Sequence, residues 1–167
     1  QQNPSQSGGL GDLANDMIIY GGKIYIVMNG SGNITILKLS DGTLLNTIPV
    51  PAGPRYAVGH NGKLYVTAYD GTVKVVDTTA LAISNSIPVG PNPEGIVAVG
   101  NYLYVANSGG LNPVPDSTVS VVDINTEAET QKITACLNPQ KIEANSIGAI
   151  NILIGSGTPG IQKICCQ

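Results

Sequence analysis

Three polar residues of different type stand at matching points of the chain, each directly after a proline: Pro54-Arg55, Pro93-Glu94 and Pro139-Gln140. A guanidinium, a carboxylate and a carboxamide together offer charge and both senses of hydrogen bond to a ligand. Each proline fixes the approach of the backbone. Tyr56 and Lys141 stand next to this set. The competing expectation is a solvated rim with an Arg55–Glu94 ion pair, which is worth little where exposed. A second set of candidates lies in three connecting segments: Asn29 in 29–32, Tyr69 and Asp70 in 69–71, and Asn107, Asn112 and Asp116 in 107–117. The third segment is the longest. Long loops on a rigid scaffold commonly carry function. Its amides and carboxylate suit hydrogen bonds to a sugar or to a cofactor side chain.

Catalysis finds little support. Glu94 with Asp70 or Asp116 provides paired carboxylates, yet nothing in the sequence demands a glycosidase arrangement. No phosphate-cradling glycine motif occurs. A single His rules out a multi-histidine metal site within the chain, and there is no Trp and no Phe. The three cysteines, Cys136, Cys165 and Cys166, show neither a disulfide framework nor a zinc spacing. The expectation is a non-catalytic binding chain with no cofactor of its own.

The elements that must position these residues recur along the chain. Segments 17–27, 57–67 and 96–106 align as a short strand, a tight Gly/Asn turn and a strand centred on Tyr25, Tyr65 or Tyr104. These tyrosines are spaced by 40 and 39 residues. A third strand follows each time, read as NITILKL at 33–39, TVKVVD at 72–77 and TVSVVD at 118–123. A fourth closes each unit over 44–50, 82–89 and 129–135. A further repeat begins at Ile142 and stops after about half a unit. Four short strands per ~40 residues, with no helical periodicity, predict an all-β chain of four-stranded antiparallel propeller blades. The expected division is an N-terminal extension over 1–13 and blades over 14–56, 57–95, 96–141 and an incomplete 142–167. A closed ring typically needs four to eight blades. About three and a half blades alone leave two open edges. The chain is therefore expected to be a fragment or an incomplete sequence of a longer ring, or to close a ring with a second polypeptide.

Composition bounds the partners. The net charge is −3, the pI about 4.9, and only 11% of residues are charged. That argues against nucleic acid. No apolar run reaches the ~18–20 residues that span a bilayer. The start is polar and lacks the plan of a signal peptide, so the expectation is that none existed or that it has been removed.

The core Tyr104-Val105-Ala106-Asn107 followed by Thr118-Val119-Ser120-Val121-Val122-Asp123 resembles the YVTN (YncE-like) propeller repeat family. The start at 14–31, the link Gly53-Pro54-Arg55-Tyr56 and the insertion 108–116 look like one branch, the surface propeller lipoproteins of gut Bacteroidetes. That branch includes a seven-bladed, cobalamin-capturing type. The resemblance implies a seven-bladed ring, export to the cell surface or periplasm of a Gram-negative bacterium, capture of a small molecule or glycan, and docking on an outer-membrane transporter. It also implies that both groups of candidate segments share one face around the central channel, with His60 on the opposite face. A rigid platform for protein partners is the alternative function.

Overall fold

The structure, a computed structural model, describes residues 11–110, 113, 115–135, 137–145, 148, 150–154 and 161–162. Asn112, Cys136, Cys165 and Cys166 lie outside the described residues. Fifteen strands form, and no helix occurs among the described residues. The first sheet runs β1 (Ala14–Tyr20), β2 (Lys23–Met28), β3 (Asn33–Lys38) and β4 (Leu44–Pro49) in that order. The second repeats it with β5 (Pro54–His60), β6 (Lys63–Ala68), β7 (Thr72–Asp77) and β8 (Ala82–Pro88). The third does so with β9 (Pro93–Val99), β10 (Tyr102–Asn107), β11 (Thr118–Asp123) and β12 (Ala128–Thr134). The fourth sheet has three strands: β13 (Pro139–Ala144), β14 (Ile150–Ile154) and β15 (Ile161–Gln162). All pairings are antiparallel. This is a partial propeller of about three and a half blades, as the period predicts.

Local chemistry sets each blade. Tyr20-Gly21-Gly22-Lys23 and His60-Asn61-Gly62-Lys63 are two-residue hairpins with positive φ at both central positions. That is the turn whose twist matches paired strands. The β7–β8 and β11–β12 turns start at Asp77 and Asp123, whose carboxylates accept the amides of Thr79 and Ala80, and of Asn125 and Thr126. Such side-chain caps end a strand and hold the turn.

Blades two and three are flanked by a neighbouring sheet on each face. The valines of β7 and β11 are therefore buried on both sides. One apolar cluster joins the first two blades through Tyr25, Ile34, Ile36, Leu64 and Val66. A second joins blades two and three through Tyr65, Val73, Val75, Leu103 and Val105. A third joins blades three and four through Ala106, Val119, Ile142 and Ile150. Tyr25 and Tyr65 are wholly buried and Tyr104 partly so, which makes the recurring tyrosines blade packing. The inner strands β1, β5, β9 and β13 lie side by side, each touching the next. Their first residues therefore meet at one end of the molecule, where the candidate residues gather.

Candidate functional site

Each inner strand starts the same way. A residue with positive φ comes first: Leu13 at 54°, Gly53 at 69°, Asn92 at 45° and Asn138 at 57°. The strand then opens on Ala14, Pro54, Pro93 or Pro139. Proline is tolerated there because the first residue of a strand need not donate to the ladder. Pairing to the second strand is irregular at once: between Ala14 and Asp16, Pro54 and Ala57, Pro139 and Lys141, and opposite Pro93 and Ile96. A β-bulge leaves residues out of the ladder and re-aims their side chains. The bulged positions are Asn15, Arg55, Glu94 and Gln140. The sequence places the last three in links between blades. They stand instead within the strands, because the bulge lets pairing begin ahead of them.

The bulges link three of these side chains into a continuous row. Arg55 Nη2 lies 2.7 Å from Glu94 Oε2, and Nε donates to the same oxygen at 2.9 Å. Nη1 donates to Asn15 Oδ1 at 2.8 Å, while Asn15 Nδ2 donates to the Arg55 carbonyl at 2.6 Å. The pair is not a solvated rim contact: the side chains are only 19% and 8% exposed. Burial pushes the Glu94 carboxyl above its ordinary value, and Arg55 pulls it part of the way back. The guanidinium also sits over the Tyr69 ring, 4.9 Å from its centroid, and 5.8 Å from that of Tyr56. Cation–π contact of this kind orders an arginine without consuming its N–H donors.

Supporting groups hold the row in place. Thr67 Oγ1 donates to the Glu94 carbonyl at 2.8 Å and accepts the Tyr56 amide at 3.1 Å, pinning two bulges to one hydroxyl. Asn29 Nδ2 donates to the Pro54 carbonyl at 3.1 Å. Gly53 lies under Tyr69 and Asn29; a Cβ there would be 3.0 Å from Tyr69 Cδ2. Gly95 lets β9 approach β13, since its Cβ would meet Gln140 O at 2.8 Å and Ile142 N at 2.7 Å.

The connecting segments do fold onto this same end. Asn29 N donates to Leu13 O, Tyr69 N to Ala52 O, and Ser108 N to Asn92 O. Arg55, Tyr56, Glu94, Asn29 and Tyr69 are thus brought together. Asp70 is turned to a local role, paired with Lys74 at 2.7 Å and accepting from Thr72 at 2.6 Å. Burial works against its ionised form, but those two donors outweigh it and hold the carboxyl below its ordinary value. Gln140 and Lys141 are exposed on β13, with Lys141 paired to Glu143 at 2.7 Å. His60 ends β5, at the far end from Arg55.

Two candidates are spent on structure. Asn107 is fully buried, and its Nδ2 donates to Thr118 Oγ1 and Ser120 Oγ. It ends β10 under the loop and has no surface with which to meet a ligand. Asp116 Oδ1 accepts both the amide and the hydroxyl of Thr118, and the Asp116 carbonyl accepts the amide of Asn138. The insertion is thereby tied across to the start of β13. Asn112 lies outside the described residues.

Sequence reasoning missed Asn15, Asp16 and Thr67. Asp16 Oδ2 accepts the Ala57 amide at 2.9 Å and joins β1 to β5. Aligning Met17 with Ala57 and Ile96 already sets Asn15 level with Arg55 and Glu94. The marking proline is absent there, because Ala14 takes its place.

No family model and no curated protein matches this chain. Solved structures do match. The hydrazine synthase of Kuenenia stuttgartiensis superposes with a TM-score of 0.78 at 20% identity, over 84% of this chain and 42% of that one. The WD40 β-propeller domain of Doa1 gives 0.70 at 15% identity, over 83% and 47%. Apo AztD from Citrobacter koseri gives 0.60 at 19% identity, over 71% and 33%. The chain thus spans less than half the length of each, and the likeness is one of propeller fold.

Proposed function

We propose that this chain is a non-catalytic binding module, and that it captures a small molecule or glycan where its inner strands begin. The row Asn15–Arg55–Glu94, set on bulges and flanked by Tyr69 and Tyr56, carries this reading. Four equivalent positions of a pseudo-symmetric scaffold hold four different polar groups. Arg55 pairs with Glu94 and Asn15 within the row, the exposed Gln140 stands outside it, and an asymmetric ligand makes use of such variety. The resemblance to exported YVTN-type surface propellers supports a place at the surface or in the periplasm of a Gram-negative bacterium, with delivery to an outer-membrane transporter. The test is ligand affinity in Arg55→Ala and Glu94→Ala variants that keep their far-ultraviolet spectrum. We expect at least a tenfold loss in each, of the size seen when a buried charged anchor is truncated. Unchanged affinity in both would remove the site assignment.

A protein-interaction platform is the second reading. Met17 and Ile19 favour it, each 61% exposed on β1. They occupy the positions that Ala57 and Gly59, and Ile96 and Ala98, use to pack on a preceding blade.

A further inference from the structure

Among the described residues, the charges at the mouth of the inner strands have partners within the chain, apart from the exposed carboxylate of Asp12. Arg55 is paired with Glu94, Lys74 with Asp70 and Lys141 with Glu143, all at 2.7 Å. The two Asp16 oxygens accept the amides of Met17 and Ala57. Asp116 Oδ1 is taken by Thr118. An anionic ligand would have to draw Arg55 away from Glu94 and leave a buried carboxylate alone. A cationic ligand would have to do the reverse. Leaving one member of a buried pair unpartnered is strongly unfavourable. A ligand without charge meets no such obstacle.

The groups left over suit one neutral class. Both Arg55 contacts to Glu94 fall on Oε2, and a guanidinium has more N–H donors than the three that Glu94 and Asn15 use. The Gln140 carboxamide is exposed. Tyr69 is 41% exposed and ordered by Arg55 beneath its ring. Planar forks that both donate and accept match vicinal hydroxyls, each of which is donor and acceptor at once. An ordered aromatic ring matches the C–H face of a pyranose. Resting on the capture reading above, we propose that the ligand is a neutral saccharide, stacked on Tyr69 and hydrogen-bonded by the Arg55–Glu94 pair and Gln140.

Calorimetric titration with short linear glucose, xylose and galactose oligomers tests this, with galacturonate oligomers as the charged comparison. A neutral oligomer is expected to bind, with affinity little changed between about 0.05 and about 0.5 M salt, since no charge is screened. Tyr69→Phe keeps that affinity, whereas Tyr69→Ala and the exposed Gln140→Ala each lower it about tenfold. Gln140 guards against a folding defect at Tyr69. Salt-dependent binding of galacturonate that Arg55→Ala abolishes would overturn the neutral class and leave capture standing. Binding of no oligomer would also overturn it; capture itself then stands or falls on the Arg55 and Glu94 variants with whatever ligand the protein carries.

Discussion

Arg55 is the residue on which the site turns, and its loss has a consequence for stability with a definite sign. Burial already raises the Glu94 carboxyl above its unperturbed 4.5, with Arg55 opposing. Removing Arg55 leaves burial unopposed and raises it further. A carboxyl with a raised folded value contributes stability in acid, below its unfolded value, and loses it as pH rises through the folded value. Arg55→Ala is therefore expected to cost on the order of 3 kcal/mol near neutral pH, the range for breaking a buried pair. Near pH 4 the deficit shrinks, because Glu94 is protonated and needs no partner. Urea unfolding at both pH values checks this; an equal deficit at both contradicts it. Arg55, Glu94 and Gln140 are legible in the sequence because a proline precedes each. The burial of Arg55 and Glu94 is not legible, since it depends on Tyr69 and Asn15 arriving from other segments. The sequence pattern also fails at Asn107, whose loop position suggests exposure while Thr118 and Ser120 draw its amide inside.

At the scale of elements, the repeated device is a left-handed residue, a strand start and a bulge. Asn and Gly fill the left-handed position at 53, 92 and 138, but Leu13 fills it at the first blade. A non-glycine residue pays about 1–2 kcal/mol there. Leu13 is 75% exposed, so little packing offsets the strain. Leu13→Gly is expected to stabilise the protein by about 0.5 kcal/mol, after the added freedom of glycine in the unfolded chain. A rise in Tm supports this, and a fall shows that Leu13 has a packing role. The strands and hairpins themselves are legible, because Gly-Gly and Asn-Gly turns and alternating β-branched residues repeat at a fixed interval. The bulges are not, because they arise only when an inner strand must both pair with its blade and lie beside the next inner strand. Gly95 carries that demand in its chemistry, yet its role appears only once β13 lies against it.

At the scale of the molecule, blade packing sets the arrangement on which the proposed capture rests. Apolar clusters between neighbouring sheets fix the blades, and the rigid inner strands then present their bulged residues at one end. The first blade shows Met17 and Ile19 at positions that elsewhere pack against a neighbouring blade, a surface that fits a further blade as well as a protein partner. The most direct measurement is native mass spectrometry of the protein purified from its source, set beside Arg55→Ala. Capture predicts a retained small-molecule mass on the wild-type protein, lost in the variant. A stoichiometric protein mass with no small molecule, unchanged by Arg55→Ala, would contradict it and favour the platform.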